Sequence, residues 1–201
     1  LIDAEGRRYL DGVSSLWCNL HGHRREEIDR AVRDQLDRIA HCTLLGLTNP
    51  PSVELARRLT AIAPGDLRHV FYSDDGSTAV EAALKIAFQH HQQKEPPEPA
   101  RRRFVALQHA YHGDTLGCVS VGGIDLFHQK YQPLLFHVHR APAPHCYRCP
   151  LGLRPADCRL ACADEMDRLV DSLAPELAAF VIEPLVQGAA GIIVHPPGYL
   201  R

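Results

Sequence analysis

The chain has 201 residues, enough for one domain with a substantial core, and its 45% hydrophobic and 23% charged residues are ordinary for a globular protein. A formal net charge of −2 gives no electrostatic reason to expect binding to nucleic acid or to an anionic membrane. Apolar runs stay below the roughly 20 residues of a membrane-spanning helix, and the polar opening stretch is unlike a secretory signal. We therefore expect a cytoplasmic protein that acts on small molecules without a membrane partner.

Hydrophobic periodicity predicts the elements in chain order. Residues 1–12 have the turn of a hairpin, and apolar residues at helical spacing predict helices over 25–40 and 52–62. Further along, predicted strands at 69–73, 103–108, 136–141 and 178–185 alternate with predicted helices at 76–93, 114–121 and 164–173. Continuous apolar strands separated by helices indicate an α/β fold, with a mostly parallel sheet that is covered by helices on both faces.

The stretch "DDGSTAVEAALKIA" (74–87) sets Gly76 and two hydroxyl residues at the start of a helix, directly after a predicted strand. The first N–H groups of a helix have no partner within the helix and attract anions, so Gly76 and Ser77 are candidates for binding a phosphate. It matches neither the P-loop pattern nor the GxGxxG pattern of dinucleotide-binding proteins. The alternative is an ordinary N-cap by Asp75 or Ser77, with Glu81 completing the cap.

Two more clusters of polar and small residues follow predicted strands. "QHAYHGDTLG" (108–117) carries Tyr111 and Asp114, and "VIEPLVQGAAGI" (181–192) carries Glu183. Ligands of open α/β sheets bind at the carboxyl ends of the strands, so these side chains are candidates for a ligand site. Each also has a purely structural interpretation: Tyr111 as a core aromatic, Asp114 as an N-cap, and Glu183 as half of an ion pair.

These motifs together resemble the class III aminotransferases, which use pyridoxal 5'-phosphate. The similar stretches are "FYSDDGSTAVEAALKIA", "AYHGDTLGCVSVGGIDLFHQKY" and "IEPLVQGAAGI", with "LDGVSSLWCNLHGH" and "AHCTLLGLTNPPSVELA" before them. They cover most of the chain apart from roughly 91–103 and 142–180, and "SSLWCN" favours the branch of the family that acts in biotin synthesis.

The resemblance implies a fold type I transferase, with residues 1–40 in the small domain and substrate entrance and 41–201 as the first part of the large cofactor-binding domain. It also implies a homodimer. By the match of motifs, the residues that contact the cofactor are Gly76, Ser77, Tyr111, Asp114 and Glu183, and those that contact substrate are Leu16, Trp17 and Tyr111.

The implied activity is transfer of an amino group to 8-amino-7-oxononanoate to give 7,8-diaminononanoate. S-adenosylmethionine is the expected donor, but Leu16 replaces a tryptophan found in many members, which leaves lysine open as the donor. The alternative within the family is a transaminase for ω-amino acids or diamines. None of the chain's lysines stands in the motif of the catalytic Schiff-base lysine, so we expect that lysine beyond residue 201, and the 201-residue piece to be inactive by itself.

Four of the seven cysteines form a pattern of their own. The pattern is C-x2-C-x8-C-x3-C, and a Cys-x2-Cys pair is suited to zinc or an iron–sulfur cluster. In a reducing cytosol a metal is favoured over disulfides, and unligated thiols are the alternative. A metal-binding module without enzymatic activity is therefore a further hypothesis, with the ligands Cys146, Cys149, Cys158 and Cys162.

Overall fold

The structure, a computed structural model, describes residues 1–200. The chain divides into two compact units, the first over Leu1–Val70 and the second beginning at Phe71. The predicted domain division after residue 40 is not tested by this partition and stays a prediction.

The first unit is mainly helical. It opens with an antiparallel bridge between Ile2 and Arg8, which matches the predicted hairpin. Three helices follow, and their bounds are α1 (Ser14–Trp17), α2 (Glu26–Leu36) and α3 (Pro50–Ile62). All four residues of α1 have positive φ, so this element is a left-handed turn and not a regular helix. The side chain of Asn49 accepts the Ser52 N–H and caps α3.

The second unit alternates helices with strands. Its elements are α4 (Gly76–Gln93), β1 (Arg103–Leu107), α5 (Leu116–Val121), α6 (Asp125–His128), β2 (His139–Ala141), α7 (Ala161–Leu173), β3 (Leu177–Val181), β4 (Val186–Gln187) and β5 (Ile193–Val194). A 3₁₀ turn over Gln129–Leu134 follows α6. The strands β2, β1 and β3 form a parallel sheet in that order, and β4 pairs with β5 in an antiparallel ribbon.

The alternation of side chains along β1 builds two cores. Val105 and Leu107 are fully buried on one face, in a cluster with Met166 of α7. Phe104 and Ala106 lie on the other face, in a cluster with Leu84 of α4 and Val121 of α5. Burying each large apolar side chain contributes about 1.5–3 kcal/mol, so both faces of the sheet stabilise the fold. The predicted α/β fold with helices on both faces is confirmed.

One predicted strand is wrong. Residues 69–73 belong to no strand of the described chain, although their apolar character is typical of one. A strand is stabilised by hydrogen bonds to a neighbour, and residues 69–73 pair with none of the strands in the described chain. Apolar composition alone could not reveal whether a neighbouring strand is present.

Among residues 1–200, the helices are too short or too polar to cross a bilayer.

Candidate functional site

Asp75 caps the N-terminus of α4. Its Oδ1 accepts the Thr78 N–H at 2.8 Å, and Thr78 Oγ1 accepts the Asp75 N–H at 3.2 Å. The helix is therefore closed by a reciprocal capping box. The N-cap interpretation of this sequence is thus confirmed for Asp75, with Thr78 as its partner instead of Glu81. The Asp75 carboxylate is thus held at the cap by the Thr78 N–H, and it does not bond to the N–H groups of Gly76 or Ser77 within residues 1–200.

The next two N–H groups of α4 are free. Those of Gly76 and Ser77 have no acceptor within residues 1–200. A Cβ built on Gly76 would meet no heavy atom within 4 Å, so the space beside this residue is open. Free N–H groups at the positive end of an 18-residue helix can hold a phosphate group.

The loop after β1 packs directly on this helix start. A Cβ on Gly113 would overlap Ser77 Oγ and lie 3.1 Å from Ser77 Cα, and Gly113 has φ +122°. Only glycine combines this backbone conformation with so close an approach. Beneath it, Cys118 Sγ donates to the Ser77 carbonyl at 3.2 Å. The first two sequence clusters therefore form one site.

Tyr111 lies in the loop after β1 and is held by a hydrogen bond and two ring contacts. Its hydroxyl donates to Asp114 Oδ2 at 2.7 Å. This hydrogen bond, with partial burial, raises the pKa of Tyr111 to about 12. The ring stacks against His128 with centroids 6.5 Å apart and meets the edge of Phe127 at 6.4 Å. A neutral, oriented phenol of this kind can border a planar ligand.

Glu183 joins the third sequence cluster to the second. Its Oε2 accepts the Tyr111 N–H at 3.0 Å, and its Oε1 accepts the Gly188 N–H at 2.9 Å. Gln187, which is fully buried, donates from Nε2 to the Gln108 carbonyl at 2.8 Å. The loops after β1 and β3 are thereby fastened together at the carboxyl edge of the sheet.

Glu81 belongs to the same group of contacts, although the sequence predicted only a possible role in capping its own helix. Its Oε1 accepts from Thr115 Oγ1 and from the Gly117 N–H, both at 2.6 Å. Its position four residues after Ser77 places both side chains on one face of α4, and this spacing was the available signal. Glu81 therefore binds the start of α5, where the loop that carries Tyr111 and Asp114 ends.

His112 was also missed by the sequence analysis. Burial lowers its pKa to about 4, with a smaller contribution from the Arg140 guanidinium. Its Nε2 is buried and has no hydrogen-bond partner in the described part of the chain. A neutral imidazole is therefore held next to Tyr111.

Leu16 and Trp17 lie in the first unit, in the left-handed turn α1. Their side chains are 72% and 59% exposed. The predicted substrate-binding role of these two residues stays a prediction.

The four cysteines predicted as metal ligands lie close together, and their metal-binding role stays a prediction. The thiols of Cys146, Cys149, Cys158 and Cys162 line one small cavity and are all free. Nevertheless, no group of three or more His, Cys, Asp or Glu side chains within residues 1–200 is arranged to hold a metal ion. Burial raises the pKa of Cys146 and Cys162 in the metal-free chain. Cys162 is buried on the first turn of α7.

Comparison with known proteins gives the same family from the sequence and from the structure. The family described as aminotransferase class-III matches residues 1–201. The adenosylmethionine-8-amino-7-oxononanoate aminotransferase of Nitratidesulfovibrio vulgaris is 64% identical over 201 residues, which are all of this chain and 37% of that protein. The crystal structure of the enzyme with the same name from Methanocaldococcus jannaschii superposes with a TM-score of 0.89 at 42% identity, over 100% of this chain and 42% of that one.

A further solved structure is an amine transaminase from an uncultivated Pseudomonas species, in its PLP-bound form. It superposes with a TM-score of 0.87 at 37% identity, over 98% of this chain and 45% of that one. The chain thus spans less than half the length of the proteins that it matches.

Proposed function

Because the chain belongs to the class-III aminotransferases, we propose that the whole protein is the pyridoxal-phosphate-dependent transaminase of biotin synthesis. It transfers an amino group to 8-amino-7-oxononanoate and forms 7,8-diaminononanoate. The α/β fold is that of the fold type I enzymes of this cofactor. The proposal on substrate is supported by the names of relatives up to 64% identical.

The observation that carries the proposal is that the loop after β1 contacts the start of α4 through Gly113 and is joined to the loop after β3 through Tyr111 and Glu183. The residues there fit the cofactor, since free N–H groups of Gly76 and Ser77 suit its phosphate and the Tyr111 ring suits its planar ring. Open space in front of Gly76 leaves room for the phosphate. Asp114 and Glu183 would hold Tyr111 in place, the first through its hydroxyl and the second through its N–H.

In this mechanism, the residues of this chain bind the cofactor and orient it. Bound pyridoxal phosphate supplies the electron sink for removing a proton from the carbon that carries the amine. Gly76 and Ser77 would fix the phosphate end, which prevents the ring from shifting between the two halves of the reaction. Tyr111, whose pKa is raised to about 12, keeps its proton throughout and remains a hydrogen-bond donor to Asp114. The catalytic lysine is proposed to lie beyond residue 201.

Leu16 and Trp17 are proposed to line the substrate entrance, since an aliphatic ketone such as 8-amino-7-oxononanoate favours an apolar wall. S-adenosylmethionine is the proposed donor, as the names of the relatives suggest. Because Leu16 replaces the tryptophan of many members, lysine is the donor to compare with S-adenosylmethionine. The test is amination of 8-amino-7-oxononanoate by the whole protein with each donor, followed by mass spectrometry. Turnover with S-adenosylmethionine is expected, and turnover with lysine alone would reassign the donor.

A second candidate function is transamination of ω-amino acids or diamines. It is favoured by the similarity to an amine transaminase that covers 98% of this chain. The same assay separates the two, because this alternative predicts turnover of β-alanine or putrescine. Strong turnover of either amine, without any amination of 8-amino-7-oxononanoate, would overturn the first assignment.

The whole protein is further proposed to be a cytoplasmic homodimer that binds neither nucleic acid nor membranes. The small net charge of −2 supports the absence of such partners. Light scattering of the purified whole protein tests the assembly. A mass of two subunits is expected, and a monomer that is fully active would exclude the dimer.

A further inference from the structure

Glu81 connects α4 with the start of α5. Both of its contacts, with Thr115 Oγ1 and the Gly117 N–H, are 2.6 Å long and reach residues 34 and 36 positions away. Thr115 is the N-cap of α5 but makes no capping hydrogen bond with its own side chain. A carboxylate from another helix therefore satisfies one of the first backbone donors of α5, the Gly117 N–H, at the end of the helix where a negative charge is stabilising.

The other end of α5 carries the opposite charge. The guanidinium of Arg140, on β2, donates to the carbonyl oxygens of Ser120, Val121 and Gly122. A cation at the C-terminus and an anion at the N-terminus both match the dipole of the helix. This six-residue helix is largely buried and is thus held at each end by a charged side chain from a different element.

The position of α5 determines the position of the loop before it. Only Thr115 separates Asp114 from α5, and the loop lies with Gly113 against Ser77. Cys118, on α5 itself, donates to the Ser77 carbonyl. If the start of α5 moved, Tyr111 and Gly113 would move relative to the first N–H groups of α4.

We propose that Glu81 is a positioning residue for the cofactor site, which holds the 111–114 loop against the start of α4 without touching the cofactor. This inference rests on the proposed function, since it concerns the same site. Glu81 makes its contacts through one oxygen, Oε1, so the acceptor is the property that matters most. A glutamine at this position keeps that acceptor, whereas alanine removes it.

The test is titration of the cofactor-free whole protein with pyridoxal phosphate, followed by fluorescence. Glu81→Ala is expected to weaken binding at least about tenfold, and Glu81→Gln by less than about threefold. Hydrogen exchange of the 111–117 amides in the cofactor-free protein gives a readout independent of activity. Exchange there should be faster in Glu81→Ala and near the original rate in Glu81→Gln.

A matched control separates positioning from general stability. Glu98 pairs with Lys94 and Arg101 near the opposite end of α4, away from the loop. Glu98→Ala should lower stability without changing the affinity for pyridoxal phosphate. Equal losses of affinity in Glu81→Ala and Glu98→Ala would overturn the positioning role.

A second variant disturbs the contact between Glu81 and Gly117 by a change at Gly117. A Cβ on Gly117 would overlap the Glu81 carboxylate, so Gly117→Ala displaces it while leaving residue 81 intact. Its loss of affinity should resemble that of Glu81→Ala and should not add to it in the double variant. If Glu81→Ala does not fold, the affinity of Gly117→Ala for pyridoxal phosphate, compared with that of Glu98→Ala, tests the positioning role instead. If the variants and the unmodified protein bind pyridoxal phosphate equally well, only the role of Glu81 is refuted. If the unmodified protein itself does not bind pyridoxal phosphate, the proposed function is refuted.

Discussion

The backbone N–H of Tyr111 donates to Glu183 Oε2 at 3.0 Å across a sequence separation of 72 residues. The second oxygen of the same carboxylate takes the Gly188 N–H at 2.9 Å. The two loops that it joins follow β1 and β3, which are parallel neighbours in the sheet. Their carboxyl ends therefore lie at the same edge, where open α/β sheets bind ligands.

Removing this carboxylate should destabilise the protein. Glu183→Ala leaves the N–H groups of Tyr111 and Gly188 without their charged acceptor, and a hydrogen bond to a charged group contributes about 1.5–3 kcal/mol. Because Glu183 is partly exposed, we expect a loss of about 2–4 kcal/mol in the free energy of unfolding, measured with urea. As a control, Glu176→Ala breaks only the exposed pair with Arg103 and should cost less than about 1 kcal/mol. Equal losses in the two variants would contradict the joining role.

Adding a methyl group at Gly113 should impair the site in two ways. Gly113→Ala forces a side chain into φ +122° and against Ser77, which pushes the loop away from the start of α4. We expect at least a tenfold loss of affinity for pyridoxal phosphate in the whole protein. Gly191→Ala is the matched control, because Gly191 has φ +103° but nothing within 4 Å of a new Cβ. An equal loss in both variants would attribute the effect to backbone strain alone.

The phenol of Tyr111 should titrate late. Its pKa is raised to about 12, first by the hydrogen bond to Asp114 and then by burial. Absorbance at alkaline pH, taken as the difference from Tyr111→Phe, isolates this group among the tyrosines. Asp114→Asn should bring the pKa back towards the ordinary 10. Since the folded state holds this proton more tightly than the unfolded chain does, the contribution to stability is present below pH 10 and is lost as pH rises towards 12.

His112 should make stability fall in mild acid. Burial lowers its pKa from 6.5 to about 4, so between these values the unfolded chain binds a proton that the folded protein excludes. Stability is therefore highest above pH 6.5 and falls as pH drops towards 4, with a slope of up to about 1.4 kcal/mol per pH unit. His112→Gln should flatten this part of the urea-unfolding profile. An unchanged slope would show that residue 112 does not contribute.

Much of the site could be predicted because its elements are local. The helix at 76–93 was predicted with its observed bounds, since glycine, two hydroxyls and a helical apolar stripe mark its start and its face. Tyr111, Asp114 and Glu183 were found because polar residues after apolar strands collect at one edge of a parallel sheet. The spacing of Glu81 from Ser77 indicates which face of α4 it occupies, but its partners on α5 and the burial of His112 depend on which segments meet across the fold and could not be predicted.

The amino-acid sequence by itself determined the α/β class, the family and the candidate residues around Gly76, because periodicity and motif spacing are properties of neighbouring residues. The tertiary structure alone decided that Gly113 lies on Ser77 and that one carboxylate joins two loops 72 residues apart. It also decided that the four cysteines of 146–162 line one small cavity, while their metal-binding role stays a prediction. The reason is physical: spacing limits which groups can meet, whereas packing and burial determine which groups do.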